Sequence, residues 1–128
     1  MRFEHTAYNV PEPVAQVKWY VENIGLKILR ENLTAPFVHF ISDSENRLTL
    51  EFYSDPRGQI PNYWEVSVWT QHIAFTSSDL AADIARLEAA GGKQEGEAVH
   101  FPNGDSVVFV RDPWGLTLQL VQRSTPLF

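Results

Sequence analysis

Apolar and polar residues alternate in several short stretches of the chain, a period of two that is typical of β-strands with one buried face. In RLTLEFY, at 47–53, the leucines and the phenylalanine fall on one face and leave Glu51 on the other. In GLTLQLV, at 115–121, three leucines share one face and leave Gln119 on the opposite one. Both stretches are therefore predicted as strands with a single polar residue in the middle of the less apolar face.

Two other stretches have apolar residues at helical spacing. The first is predicted to begin at Pro13 and to stop at Gly25, with its apolar residues at Val14, Val17, Val21 and Ile24. The second can be capped by Asp79 and ends at a glycine pair, with one face formed by Leu80, Ile84 and Leu87. Both helices follow a predicted strand.

The remaining β-rich runs complete the same order twice. In the first half, FEHTAYNV precedes the helix, and strands are predicted within 26–33, 36–42 and 47–54. In the second half, VSVWTQHIAFT precedes the helix, and strands are predicted near 93–99, 106–111 and 115–122. FPNGDS and DPWG supply tight turns between the later strands. Each half therefore reads βαβββ.

Sequence landmarks repeat in register with this order. LTLE and LTLQ lie 68 residues apart. The pattern His-x-Ala, which begins at His5, recurs 67 residues later at His72. Gly25 and Gly92 each lie 20 residues after their histidine. We interpret the chain as one domain over 1–128, built from module 1 at about 1–54, a linker at 55–66 and module 2 at about 67–128. The fold class is α+β.

Strand alternation places four side chains on the less apolar faces of the two modules: His5, Glu51, His72 and Gln119. If two curved sheets face each other, these side chains converge in one cavity. Two imidazoles, one carboxylate and one amide oxygen suit a divalent ion, and Zn, Ni, Mn, Fe and Co all remain open. A repeated histidine that is buried also needs a polar partner, and a metal would supply it.

Other polar and aromatic residues are assigned ordinary structural roles. His39 and His100 are expected to be hydrogen-bonded core residues. Turn formation accounts for Asp55, Asn103, Asp105 and Asp112. Lining of an aromatic cleft is the alternative to core or interface packing, which is preferred for Tyr63, Trp64, Trp69 and Trp114.

Composition narrows the range of partners. The net charge of −6, with ten scattered Lys and Arg residues, disfavours nucleic acid and membrane surfaces as partners. No apolar run is long enough to cross a bilayer and the N-terminus lacks a signal-peptide pattern, so a cytoplasmic protein is expected. Because the chain has no cysteine, any metal site must use nitrogen and oxygen ligands.

The ordered set of His5, NIGLKILRE, LTLEFY, QHIAFTSSDL, AAGG and VRDPWGLTLQL resembles the vicinal-oxygen-chelate superfamily over nearly the whole chain. The superfamily includes glyoxalase I, extradiol dioxygenases and bleomycin-binding proteins. The resemblance implies paired βαβββ modules with curved mixed sheets and a metal in a concave cavity. It also implies a homodimer in which His5 and Glu51 of one subunit join His72 and Gln119 of the other.

The fourth ligand position departs from the enzymes that the chain resembles. It is usually Glu there, whereas neutral Gln119 can coordinate through oxygen but cannot accept a proton at ordinary pH. Glu51 is then the candidate catalytic base, beside a metal acting as a Lewis acid. Glyoxalase I carries an Arg and an Asn for glutathione where this chain has Asn9 and Asp55, and 94–110 holds no Lys or Arg. Glutathione-dependent activity is therefore disfavoured.

Two functions follow from the resemblance. The first is a metal-dependent glyoxalase-like enzyme, of isomerase, epimerase or lyase type, that acts on a small oxygen-rich substrate. The second is a metal-free binding protein of the bleomycin-resistance type, which would hold a cationic or aromatic ligand between acidic walls and tryptophan side chains.

Overall fold

The computed structural model describes residues 1–128, which form two compact units, Met1–Pro61 and Asn62–Phe128. The N-terminal unit contains β1 (Thr6–Asn9), α1 (Pro13–Asn23), β2 (Lys27–Glu31), β3 (His39–Ser42) and β4 (Thr49–Tyr53). The C-terminal unit begins with a 3₁₀ turn (Tyr63–Glu65) and continues with β5 (Ile73–Thr76), α2 (Leu80–Ala89), β6 (Lys93–His100), β7 (Ser106–Arg111) and β8 (Thr117–Gln122). The βαβββ order is present in both units, and their boundary lies within 55–66.

Each unit has one four-stranded mixed sheet with the same topology. The strand orders are β1-β4-β3-β2 and β5-β8-β7-β6. β1 runs parallel to β4, and β5 runs parallel to β8, while the other neighbours are antiparallel. The helix of each unit follows one edge strand and leads to the opposite edge strand, from which the chain returns through antiparallel neighbours to the strand beside the first. The predicted α+β class is confirmed.

The core of the N-terminal unit lies between α1 and its sheet. Val17 and Tyr20 of the helix are fully buried, and the Tyr20 ring lies 5.3 Å from the ring of Phe52 on β4. Val14, one of the four apolar residues at helical spacing, is 44% exposed. The reason is that Pro13, Val17 and Tyr20, at i, i+4 and i+7, define the buried stripe, and Val14 lies at its edge.

The core of the C-terminal unit follows the same plan. Asp79 caps α2, since its carboxylate accepts a hydrogen bond from the Ala82 amide at 3.0 Å. Leu87 of the helix packs against valines of β7 and leucines of β8, the two central strands. The side chains of these strands that are fully or nearly fully buried are Val108, Val110, Leu118 and Leu120. The leucine face of GLTLQLV is therefore buried as predicted.

The strand before α2 is shorter than the sequence predicts. VSVWTQHIAFT is β-rich throughout, yet β5 begins only at Ile73. The Ser67 hydroxyl accepts a hydrogen bond from the Trp69 amide, and the Ser67 carbonyl accepts one from the Thr70 amide. These two hydrogen bonds close a turn over 67–70. This local bonding outcompetes β propensity. As a result His72 lies directly before β5, just as His5 lies directly before β1.

The two helices have 11 and 10 residues. Neither is long and apolar enough to cross a membrane.

Candidate metal centre

The N-terminal unit brings His5 and Glu51 together. The Nε2 atom of His5 lies 3.3 Å from Oε2 of Glu51, and the two side chains are 33% and 17% exposed. The other ring nitrogen, Nδ1, lies 3.1 Å from Oε1 of Glu4. His5 and Glu51 therefore form a two-residue half-site that is open to solvent.

Strand register explains why these two side chains meet. Glu51 on β4 pairs with Ala7 of β1 on one side and with Phe40 of β3 on the other. The His5 ring lies nearly perpendicular to the Phe40 ring, with 5.4 Å between the ring centres and 82° between the planes. Phe40 thus supports the histidine from the strand next to the carboxylate.

The C-terminal unit repeats this arrangement. Gln119 on β8 pairs with Ala74 of β5 and with Phe109 of β7. The His72 ring lies 5.3 Å from the Phe109 ring at an angle of 64°. His72 and Gln119 make no hydrogen bond with each other, and the polar contact of His72 is from Nδ1 to the Val68 carbonyl at 2.9 Å. The second half-site therefore has the same framework but an amide in place of the carboxylate.

The hydrogen bonds of the two histidines bear on whether they fit a metal. In each, Nδ1 faces an oxygen that can only accept: the Glu4 carboxylate for His5 and the Val68 carbonyl for His72. A histidine that donates its Nδ1–H to such an oxygen binds a metal through Nε2, and in His5 this atom faces Oε2 of Glu51. Two adjacent ligands with metal bonds of about 2.1 Å lie roughly 3 Å apart, close to the spacing of His5 Nε2 and Glu51 Oε2. The donors fit a divalent ion.

The two half-sites differ from the predicted site in two respects. No group of three or more His, Asp and Glu side chains lies close enough to hold a metal ion. The histidines, expected to be buried, are one-third exposed in the case of His5 and exposed in the case of His72. A need to satisfy a buried imidazole therefore does not explain why the histidine is repeated.

An open cavity of about 530 Å³ lies beside Glu51 in the N-terminal unit. Its lining includes Glu51, Tyr53, Asp55 and Arg57, together with Pro36 and Val38. Two carboxylates and one guanidinium thus face a space large enough for a small metabolite. Glu51 belongs both to this lining and to the pair with His5.

Asn9 and Asp55, the two positions that the resemblance equates with glutathione contacts, are engaged with each other within the unit. The Asn9 side chain accepts a hydrogen bond from the Asp55 amide at 2.8 Å and donates to the Asp55 carbonyl at 2.9 Å. Hydrogen bonds from the Arg57 side chain and backbone to the Asp55 carboxylate lower the pKa of Asp55 to about 2. Asp55 is therefore an anion at physiological pH.

Arg111 has a structural role that was not predicted from the sequence. Its side chain is buried, and it donates to the carbonyls of Tyr63 at 2.7 Å, Val66 at 2.9 Å and Gly115 at 3.0 Å. It also pairs with the Glu95 carboxylate, whose pKa these hydrogen bonds lower. The one available signal was an arginine at the end of the apolar strand SVVFV, directly before DPWG.

The remaining predictions for single residues have mixed outcomes. His39 is a core residue, 1% exposed and hydrogen-bonded to the Phe37 carbonyl at 2.6 Å, as expected. The expectation of a core position for His100 is wrong, because it is exposed on β6 and bonds to the Ser106 hydroxyl at 2.7 Å. Three of the four predicted turn residues stabilise turns, since the side chains of Asp55, Asn103 and Asp112 each accept a hydrogen bond from the amide two residues on. The Asp105 carboxylate instead accepts hydrogen bonds from Arg123 and Ser124.

The aromatic residues near the linker divide between core and surface. Tyr63 is buried, whereas Trp64 and Trp69 are 45% and 77% exposed. Trp69 meets the Phe109 ring edge-on with 5.1 Å between the ring centres. Of the two roles expected for Trp69, core packing is wrong and interface packing stays a prediction; the residue presents an aromatic surface next to the ring that supports His72.

Known proteins that share sequence similarity with this chain belong to one superfamily. Residues 2–120 match the family model described as Glyoxalase/Bleomycin resistance protein/Dioxygenase superfamily. Lactoylglutathione lyase GLX1 of Arabidopsis thaliana is 28% identical over 133 residues, which cover 95% of this chain and 44% of the plant protein. Lactoylglutathione lyase of Haemophilus influenzae is 25% identical and is covered over 95% of its length, with 98% of this chain. The chain thus spans less than half of the plant relative.

Solved structures share the architecture. A glyoxalase family protein from Enterococcus faecalis superposes with a TM-score of 0.69 at 27% identity, covering 94% of this chain and 97% of that one. TnmS3, an antibiotic binding protein from Streptomyces sp. CB03234, also gives a TM-score of 0.69, at 19% identity and 97% coverage of both chains. The second match is evidence for the fold alone. By its repeated βαβββ units and its match over residues 2–120, the chain belongs to the Glyoxalase/Bleomycin resistance protein/Dioxygenase superfamily.

Proposed function

We propose that this protein is a metal-dependent glyoxalase-like enzyme, of isomerase, epimerase or lyase type, that acts on a small oxygen-rich substrate. The observation that carries the proposal is the 3.3 Å approach of His5 Nε2 to Glu51 Oε2 at the edge of a cavity. The lyase names of the relatives support the same class of chemistry.

The residues that would hold the metal are His5, Glu51, His72 and Gln119. When bound, a divalent ion would act as a Lewis acid that stabilises negative charge on a substrate oxygen. In glyoxalase-like dimers the modules of two chains complete one site, and we propose a homodimer of this kind here. Each chain would then contribute its His5 and Glu51 to one site and its His72 and Gln119 to the other.

Glu51 is the proposed catalytic base. Its carboxylate is partly exposed to the cavity, so it can reach a substrate carbon and take a proton from it. Gln119 occupies the equivalent place in the other unit but has no basic oxygen at ordinary pH. The two half-sites therefore have different proposed roles. The His5–Glu51 half-site supplies a base and a histidine ligand, and the His72–Gln119 half-site supplies two neutral ligands.

The proposed substrate is not a glutathione adduct. Asn9 uses its side chain to bond the 55–58 segment, and Asp55 presents a negative charge. Arg57 is then the one cation of the cavity lining, too few for the two carboxylates of the tripeptide. The test is an assay with lactoylglutathione and its precursors, using the Haemophilus influenzae relative as the positive control. We expect no turnover above the uncatalysed rate; turnover similar to that of the control would contradict this part of the proposal.

A second function is favoured by one observation, the 77% exposed Trp69 packed on Phe109. An exposed indole beside an aromatic ring can bind a planar or cationic ligand, as a metal-free binding protein would require. A thermal-shift screen separates the two functions, because a ligand that binds the folded state raises the melting temperature. Stabilisation by divalent metals supports the enzyme. Stabilisation by aromatic cations alone supports the binding protein and contradicts the enzyme.

A further inference from the structure

The segment after β4 is fixed to β1 by one asparagine side chain. Asn9 accepts the Asp55 amide at 2.8 Å and donates to the Asp55 carbonyl at 2.9 Å and to the Gly58 carbonyl at 3.1 Å. The segment also closes on itself, since the Gly58 amide donates to the Asp55 carbonyl at 3.2 Å. The backbone of 55–58 is therefore held in place beside the last residue of β1.

The approach of this segment to Asn9 is close. A Cβ atom on Gly58 would lie 3.1 Å from the Asn9 side-chain nitrogen, tighter than an ordinary contact. A glycine at this position therefore allows the asparagine to hold both ends of the segment. The side chains of Asp55 and Arg57 project from a fixed backbone.

Arg57 is oriented by Asp55. Its Nε atom lies 3.0 and 3.1 Å from the two Asp55 carboxylate oxygens, and Nη2 donates to Oδ2 at 2.6 Å. A guanidinium has five N–H donors in a rigid plane, and this contact uses those on one edge. The Nη1 edge stays available, and the side chain is 88% exposed. The pair therefore presents an oriented fork of donors to solvent.

Arg57 and Glu51 line the same cavity of about 530 Å³. Arg57 is the cation of that lining, next to the carboxylates of Glu51 and Asp55. A divalent ion at Glu51 would change the formal charge of the lining from −1 to +1, which favours an anionic ligand. A carboxylate is the anion that matches the planar fork of a guanidinium.

We propose that Arg57 is the specificity-determining residue of the enzyme, and that it binds a carboxylate of a small substrate whose oxygen-rich end lies at Glu51. This inference rests on the proposed function. Asn9 and Asp55 act as positioning residues, because they fix the backbone and the guanidinium without offering a donor to the substrate. The substrate class is therefore a 2-hydroxy or 2-oxo acid with a second, distal carboxylate.

Arg30 is the competing cation on this sheet. It pairs in register with Phe40 and lines a separate cavity of about 250 Å³ with Glu4 and Thr49. Glu51 does not line that cavity, and no carboxylate holds the Arg30 guanidinium in a fixed direction. The geometry favours Arg57, and Arg30 provides the alternative that the experiment must separate.

The test measures binding of matched acids to the Zn²⁺-loaded protein by calorimetric titration. Malate and 2-hydroxyglutarate carry a distal carboxylate, whereas 2-hydroxybutyrate and 2-hydroxyvalerate carry a methyl group in its place. We expect one of the dicarboxylates to bind at least about tenfold more tightly than its partner, as a charge-assisted bidentate contact allows. Arg57→Gln should reduce this preference to less than about threefold.

Two variants with the same charge change serve as controls. Arg47→Gln alters an arginine in the turn between β3 and β4 that pairs with Asp43 and Glu45, and should keep the full preference. Arg30→Gln should also keep it. The proposal is overturned if neither dicarboxylate is preferred, if the preference survives Arg57→Gln, or if Arg30→Gln removes it instead.

A second experiment, on the metal-free protein, tests carboxylate binding by Arg57 independently of the proposed metal-dependent function. If the protein takes up none of Zn²⁺, Ni²⁺, Mn²⁺, Fe²⁺ and Co²⁺, the metal-dependent function falls, and the role of Arg57 is judged by NMR on the metal-free protein. Movement of the Arg57 Nε–H resonance with the dicarboxylates, but not with their monocarboxylate partners, supports carboxylate binding at Arg57. An unchanged resonance with all four acids overturns it.

Discussion

Glu51 and Gln119 occupy the same position in the two sheets: each lies between an alanine on the parallel neighbouring strand and a phenylalanine on the antiparallel one. The two sites therefore share a backbone framework and differ in one functional group. Because only the carboxylate can accept a proton, the structural repeat is symmetric while its proposed chemistry is not.

Replacing Glu51 by Gln tests this asymmetry. Glu51→Gln keeps an oxygen ligand beside His5 but removes the base, so we expect weakened metal uptake and loss of turnover by at least about 100-fold. Metal content and activity on the identified substrate are measured on the same sample. Glu22→Gln, on the exposed face of α1, is the matched control. Full activity of Glu51→Gln would remove Glu51 from the role of base.

A mixture of two histidine variants tests whether the site is shared between subunits. His5→Ala and His72→Ala should each lose metal uptake when alone. In a heterodimer of the two, a shared site would pair the intact His5 half with the intact His72 half, so random mixing should restore about a quarter of an equivalent per subunit. No recovery, in a mixture that mass spectrometry shows to contain heterodimers, would contradict a shared site. His100→Ala is the control histidine, since it is exposed on β6.

Element order and the equivalence of the two half-sites were predictable because they depend on local patterns. Alternation in RLTLEFY and GLTLQLV fixes which side chains share a face, and a one-residue slip would bury Glu51 or Gln119. Pro13 and Asp79 mark the helix starts by their own conformational and hydrogen-bonding preferences. These signals act within a few residues.

The features that were missed depend on groups far apart in the sequence. Arg111 binds the carbonyls of Tyr63 and Val66, 48 and 45 residues away, and no local pattern indicates that these carbonyls will point at it. The bonding of Asn9 to Asp55 spans 46 residues in the same way. The surface position of His100 arises because β6 lies at the edge of its sheet. Tertiary context decides each of these.

Arg111 is expected to be the most sensitive of the arginines for stability. Arg111→Met would leave three carbonyls without their donor, and each buried polar group left unsatisfied costs about 1–3 kcal/mol, whereas the half-exposed Glu95 carboxylate would be solvated. Urea unfolding measures the change. Arg86→Met, which removes a half-exposed arginine paired with Asp83, should change stability by less than about 1 kcal/mol. Equal effects of the two variants would contradict the role assigned to Arg111.

Asp105 is expected to make stability depend on acid pH. Hydrogen bonds from the Ser124 backbone and from Arg123 lower the pKa of Asp105 to about 2. Because the folded-state pKa lies below the unfolded value of 3.8, the contribution is present above that value and is lost as pH falls towards 2.

The measurement for Asp105 is the melting temperature from pH 7 to pH 2. Asp105→Asn should lower it by several degrees at pH 7, and the difference from the wild type should shrink below about pH 4. Glu97→Gln, exposed on β6, makes the same change in charge and should track the wild type. A difference that stays constant down to pH 2 would contradict a role for the ionised carboxylate.

The central claim is that His5, Glu51, His72 and Gln119 hold a catalytic divalent metal. Its most direct test is metal analysis by mass spectrometry of protein purified without a chelating resin, followed by titration with Zn²⁺, Ni²⁺, Mn²⁺, Fe²⁺ and Co²⁺. We predict roughly one equivalent per chain, either as purified or after titration. Less than about a tenth of an equivalent as purified, with no uptake of any of these ions, would contradict the claim.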